Sequence, residues 1–118
     1  MSNEELLKFK LLQKKLVSVT FIKDYLQLNF DGPYFNFYDY PSINVGGEIF
    51  DSKKFGYREH ICNLIGSKVV LIKEDIDSNI SINFDNSSSV SLSLKPEDRS
   101  SVEIAMFQSG SGEGWIVW

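Results

Sequence analysis

From Val17 onward the chain repeatedly alternates apolar and polar residues with a period of two, the mark of strands with one buried face. Val17, Val19 and Phe21 alternate with Ser18 and Thr20, and Leu26, Leu28 and Phe30 alternate with Gln27 and Asn29, so Lys23-Asp24 reads as a tight hairpin turn. Asp31-Gly32-Pro33 marks the next turn, and Phe35 and Phe37 predict a third strand that ends before Pro41. Ile43, Val45, Ile49 and Phe50 predict an irregular extended segment around Gly46-Gly47. Further strands are expected at about 68–73, 79–85 and 89–95, the last two with clean alternation and a turn at Asn86-Ser87-Ser88. Val102 to Phe107 and Trp115 to Trp118 predict the final pair, joined by the loop Ser109-Gly110-Ser111-Gly112.

Helical signals are fewer. Ser2 and Glu5 have capping-box spacing and Glu4 sits four residues before Lys8, predicting a short helix over about 3–13. Residues 54 to 65 form the second expected helix, with Tyr57, Ile61, Leu64 and Ile65 as its apolar face and Gly66 as its stop. Pro96-Glu97-Asp98 opens one helical turn, with acids near its positive end. Together these elements predict an α+β fold dominated by antiparallel sheet, with a β-sandwich or open barrel carrying short helices as the alternative. A chain of 118 residues fits a single domain over 1–118.

A faint internal echo suggests how that domain is built. Residues 21–31 read FIKDYLQLNFD and residues 71–85 read LIKEDIDSNISINFD. Ile22-Lys23-Asp24 aligns with Ile72-Lys73-Glu74, and Asn29-Phe30-Asp31 with Asn83-Phe84-Asp85, once four extra residues are allowed in the second turn. Each copy follows a helical segment and leads to a proline, Pro41 or Pro96. The echo predicts two helix-plus-three-strand halves around one core, at about 1–50 and 54–107.

Composition and charge narrow the function classes. Aromatic residues make up 14% and apolar residues 42% of the chain, enough for a core and too much for general disorder. No apolar run is long enough for a transmembrane span, and the start MSNEELLKFK lacks a secretory apolar stretch, so no membrane association and a cytoplasmic location are the expectations. The net charge of −4 is uneven: residues 74–118 hold eight acids against Lys95 and Arg99. That balance argues against nucleic acid as a partner, which needs a basic track, and suits attraction of a basic protein.

Candidate chemistry is sparse. His60 is the single histidine and Cys62 the single cysteine; two positions apart on a helix they point about 200 degrees apart, so they share no face. Cys62 is expected to be a small buried hydrophobe, and His60 a structural residue. Glu74, Asp75 and Asp77 form an acidic turn, but EDIDSNIS lacks the glycine and terminal glutamate of a calcium loop. GSGEG lacks the Lys-Ser/Thr of a phosphate loop. The sequence therefore predicts no catalytic residue, no metal and no cofactor. Its candidates for partner contact are the acids Glu74, Asp75, Asp77, Asp98 and Glu113, with Tyr38 and Tyr40 from the aromatic run Tyr34–Tyr40.

Three features resemble small bacterial immunity proteins of polymorphic or contact-delivered toxin systems: the strand entry Leu64-Ile65-Gly66-Ser67-Lys68-Val69, the run Val90-Ser91-Leu92-Ser93-Leu94 before Pro96-Glu97, and the end Trp115-Ile116-Val117-Trp118. They are scaffold features of the C-terminal half. The resemblance implies stoichiometric binding to a cognate toxin, with a basic nuclease as the partner that the charge fits. A small hydrolase-like enzyme using His60 and distant carboxylates, and a structural or homo-oligomerisation module pairing through the terminal strand, are the competing expectations.

Overall fold

A computed structural model describes residues 2–110, 112 and 114–118 of the chain. Its elements run α1 (Asn3–Leu11), β1 (Ser18–Ile22), β2 (Tyr25–Asn29), β3 (Tyr34–Phe37), β4 (Ser42–Val45), β5 (Glu48–Phe50), α2 (Tyr57–Cys62), β6 (Val69–Asp75), β7 (Asn79–Phe84), β8 (Ser88–Ser93), a 3₁₀ turn at Pro96–Asp98, β9 (Ala105–Gln108) and β10 (Trp115–Val117). The strands form two five-stranded antiparallel sheets, ordered β1-β2-β3-β9-β10 and β5-β4-β8-β7-β6. The fold is α+β with mostly antiparallel sheet.

The alternation of the sequence becomes the two faces of each sheet. Leu26, Leu28, Phe35, Phe37 and Phe107 point inward from the first sheet, and Ile43, Ile80, Ile82, Val90 and Leu92 from the second; all are buried in one core. Phe35 and Phe37 meet Ile80, Ile82 and Val90 with no room for a water molecule between them. Trp118 closes one edge: its ring stacks on Phe35 at 5.3 Å, and its backbone exchanges hydrogen bonds with Ile104 and Ala105.

The two sheets have the same internal plan. Advancing every strand label by five places converts the order of the first sheet into that of the second, because β1-β2-β3 and β6-β7-β8 are equivalent meanders and each accepts the hairpin that follows the other. The helices also cross over, α1 packing on β6 and α2 on β1 and β4. Where the halves meet, the hydrogen bonds come in exchangeable pairs. Leu16 N–H donates to Ser67 O (2.9 Å) as Val69 N–H does to Lys14 O (3.0 Å); Gln13 N–H donates to Val69 O (2.8 Å) as Gly66 N–H does to Leu16 O (2.7 Å). Gln13 and Gly66, at equivalent points after the two helices, both adopt left-handed backbone (φ 67° and 92°). Phe30 and Phe84, at the ends of β2 and β7, stack on each other at 6.4 Å with planes 9° apart.

Several expectations change in detail. Asn29-Phe30-Asp31 and Asn83-Phe84-Asp85 do occupy equivalent places, but Ile22 and Ile72 do not: Ile22 pairs with Tyr25 beside its turn, whereas Asp75 holds that place in the second meander, paired with Asn79. The second helix is shorter than 54–65, since Gly56 enters it at φ 93° and residues 51–54 are held in a turn by the Asp51 side chain and carbonyl. Gly46-Gly47 turns a tight hairpin rather than an irregular segment, both glycines being left-handed and Asn44 Oδ1 accepting the Gly47 N–H at 2.9 Å. Val102 lies outside the last strands and is 90% exposed. Cys62 is exposed, not buried. The capping box at Ser2 and Glu5 forms as its spacing predicts.

Candidate functional site

The ladder registers bring several predicted residues to one end of the second sheet. Asp75 pairs with Asn79, Asn79 with Ser93, Ser91 with Ser42, and Ile43 with Phe50. The β6–β7 turn, the exit of β8, the entry to β4 and the exit of β5 therefore sit together. An open groove of about 630 Å³ lies there, lined by Asp39, Tyr40, Ser42, Ser52, Lys53, Ser91, Leu92, Ser93, Asp98 and Ser100. Alternation explains its serines: Val90 and Leu92 point into the core, so Ser91 and Ser93 must point out.

Two carboxylates in the groove are held in place. Asp98 accepts a hydrogen bond from the Ser93 hydroxyl at 2.6 Å, and Asp39 accepts from the Ser100 backbone N–H at 3.1 Å and from the Ser100 hydroxyl. Fixed carboxylates keep acceptor sites for an incoming cation without the side-chain ordering cost of a free one. Tyr40 forms a wall: its hydroxyl donates to Ile22 O at 3.2 Å, and its ring stacks on Tyr57 at 6.3 Å. Tyr57 in turn donates to Pro41 O at 2.6 Å, and burial pushes its phenol pKa well above the ordinary value. Lys53 is the cation among the lining residues. Asp77, left-handed at φ 60°, is exposed at the tip of the neighbouring β6–β7 turn, beside Asp75.

The remaining candidates separate. Glu74 is a structural residue in β6 rather than part of the turn: its carboxylate accepts the Trp118 indole N–H at 3.0 Å, and its backbone N–H donates to Glu4 at 2.8 Å. That bond, with Lys8 at 3.2 Å, holds the Glu4 carboxyl below the usual range. Tyr38 turns to the outer face of the first sheet, where its ring meets Tyr25 edge-on at 5.8 Å. Glu113 lies outside the described residues. His60 packs against the Phe50 ring at 4.4 Å, and no hydrogen bond joins it to a carboxylate among the described residues. Among those residues no three of His, Cys, Asp and Glu converge as a metal-binding group, and no helix is long and apolar enough to cross a membrane.

Sequence reasoning missed Asp39, Lys53 and the five serines Ser42, Ser52, Ser91, Ser93 and Ser100. Outward serines two apart on a strand, with an aspartate five residues beyond, were a usable signal for half of the groove. Comparison with family models, with curated proteins and with solved structures gives no match.

Proposed function

We propose that this protein is a stoichiometric binding protein of the inhibitor or immunity type, which receives a basic protein at the acid-lined end of its second sheet. The observation that carries this reading is the groove in which Asp39 and Asp98 are fixed by Ser100 and Ser93, flanked by the exposed acids Asp75 and Asp77. Charges at a rim steer encounter, while fixed carboxylates inside a groove meet a Lys or Arg with a complementary hydrogen bond. His60 lies near the Glu48 carboxylate but makes no hydrogen bond to a carboxylate among the described residues and packs on Phe50, which favours binding over hydrolysis. A toxin carrying a basic active face, such as a nuclease, is the partner that this chemistry fits, because an acidic protein mimics the charge of its substrate.

Co-purification with the product of the adjacent gene, and protection of cells expressing that product, test the proposal. A complex that forms at low salt and weakens as salt rises supports it. A neighbouring toxin that neither binds nor is neutralised counts against it.

A further inference from the structure

The outer face of the first sheet differs from the acidic groove in every respect. None of the residues in β1, β2, β3, β9 and β10 is charged, in a chain where 24% of residues are. The ladder sets Gln27 opposite Asn36 and Asn36 opposite Met106, forming a central row. Gln27 Nε2 donates to Asn36 Oδ1 at 3.0 Å; Asn36 is itself buried, so the half-buried Gln27 side chain, with its oxygen, is the amide this row presents. Aromatic rings flank this row on both sides. Tyr34, paired with Gln108 and through it with Trp115, lies on one side, and the Tyr25–Tyr38 pair on the other. Trp115 is 63% exposed, a costly state for an indole that the core does not need.

The second sheet serves as an internal control. Matching the ladders from Leu28 and Ile82, the places of Tyr25, Tyr34 and Tyr38 are taken there by Asn79, Ser89 and Ser93, and those of Gln27 and Asn36 by Ser81 and Ser91. The same strand plan is thus built with small polar residues outside, so the rings are not required by the fold. We propose that this face binds a neutral oligosaccharide, stacking sugar rings on Tyr34, Tyr38 and Trp115 and hydrogen-bonding their hydroxyls to the Gln27 amide, which Asn36 holds in place.

Charge and size both favour that occupant. A sugar ring presents an apolar C–H face and a rim of uncharged hydroxyls, which matches rings bordering amides with no ionic group among them. Four strand spacings by four residue steps give a face of roughly 19 by 13 Å, or about 250 Å², against roughly 800 Å² per partner in a stable protein interface. An area of that size holds two or three sugar units. The inference is independent of the acidic groove, which lies on the other sheet.

Isothermal titration of the full chain with cellohexaose, maltohexaose, xylohexaose and chitohexaose tests it, heparin serving as the charged control. One of the four neutral oligomers should bind with a Kd on the order of 0.1–1 mM, the weak range in which small shallow faces work. Tyr34→Ser/Tyr38→Ser, which copies Ser89 and Ser93, should weaken that binding about tenfold or more while thermal melting stays close to the native protein. Trp115→Ala, at an exposed site, gives a second variant should the double substitution disturb folding. Absence of binding to all four oligomers overturns the inference, as does equal binding by the native protein and Trp115→Ala. A protein ligand whose binding is lost in these variants, with no sugar bound, also overturns it.

Discussion

Facing inward, the first sheet presents Leu26, Leu28, Phe35 and Phe37 where the second presents Ile80, Ile82, Val90 and Leu92, all buried. Facing outward, the same strands carry tyrosines among their amides in one case and serines among their amides in the other. The strand order, the crossed helices and the exchanged hydrogen bonds are common to both halves; the outer surfaces are not. Burial therefore constrains the inner positions to interchangeable apolar residues, while the outer ones are released to carry different recognition chemistry. The acidic groove belongs to one sheet and the uncharged aromatic face to the other.

The deepest break in this arrangement is at the shared core. Removing residues 115–118 takes away β10 and the Trp118 ring that stacks on Phe35, and should abolish cooperative thermal unfolding or leave the chain insoluble. Trp118→Ala alone should cost about 3–5 kcal/mol, read by urea denaturation; a melting curve unchanged by either alteration would show that the terminal strand is not part of the core. Phe30→Ala and Phe84→Ala should each cost about 3–4 kcal/mol. Because the rings stack on each other, the double variant should fall short of the sum of the two by about 0.5–1.5 kcal/mol. Simple additivity would argue that the two halves are not coupled through this contact.

The parts of the fold that were legible in the sequence are those governed by local alternation. Ile80, Ile82 and Phe84 against Ser81 and Asn83 allow only one buried face, and the strand forms where that pattern lies. The sequence alone starts the second helix at residue 54 because Lys54 and Phe55 have no turn signature of their own; the Asp51 side chain and the left-handed Gly56 decide where helix begins. Gly46-Gly47 carried its hairpin signal in plain view, with Asn44 to cap it. Of the candidate site, Asp75, Asp77 and Asp98 were legible as acids, but their gathering at one end depends on the β7–β8 register. Asp39 with Ser100, and Glu74 with Trp118, are contacts between distant stretches of chain, and no local pattern announces them.

Smaller effects sharpen the contrast between the outer faces. Ser89→Tyr in the second sheet and Tyr34→Ser in the first, equivalent exchanges at half-buried outward positions, should each change stability by less than about 1 kcal/mol. A loss of several kcal/mol on either would mean that the outer residues are dictated by the fold after all. Glu4 tests the docking of α1. Its carboxyl is held below the usual 4.5 by the Glu74 N–H and Lys8, so its contribution is present above that value and is lost as pH falls through the lowered one. Glu4→Gln should flatten the acid limb of the stability curve slightly, and identical acid unfolding of the two proteins would remove Glu4 from the account. Replacing Asp75, Asp77 and Asp98 by Asn should leave stability within about 0.5 kcal/mol, since Asp75 and Asp77 are exposed and amides retain acceptor oxygens. The same triple variant should associate with a basic partner about tenfold more slowly at low salt and with a shallower salt dependence.

Hydrogen–deuterium exchange on the complex with the co-purified partner compares the two surfaces in one experiment. Binding at the acid-lined groove predicts slowed exchange in residues 39–42, 75–79 and 91–100, with the strands of the first sheet unchanged. Slowed exchange confined to 25–38 and 105–117, with the groove segments as in the free protein, would contradict the assignment of partner recognition to the second sheet.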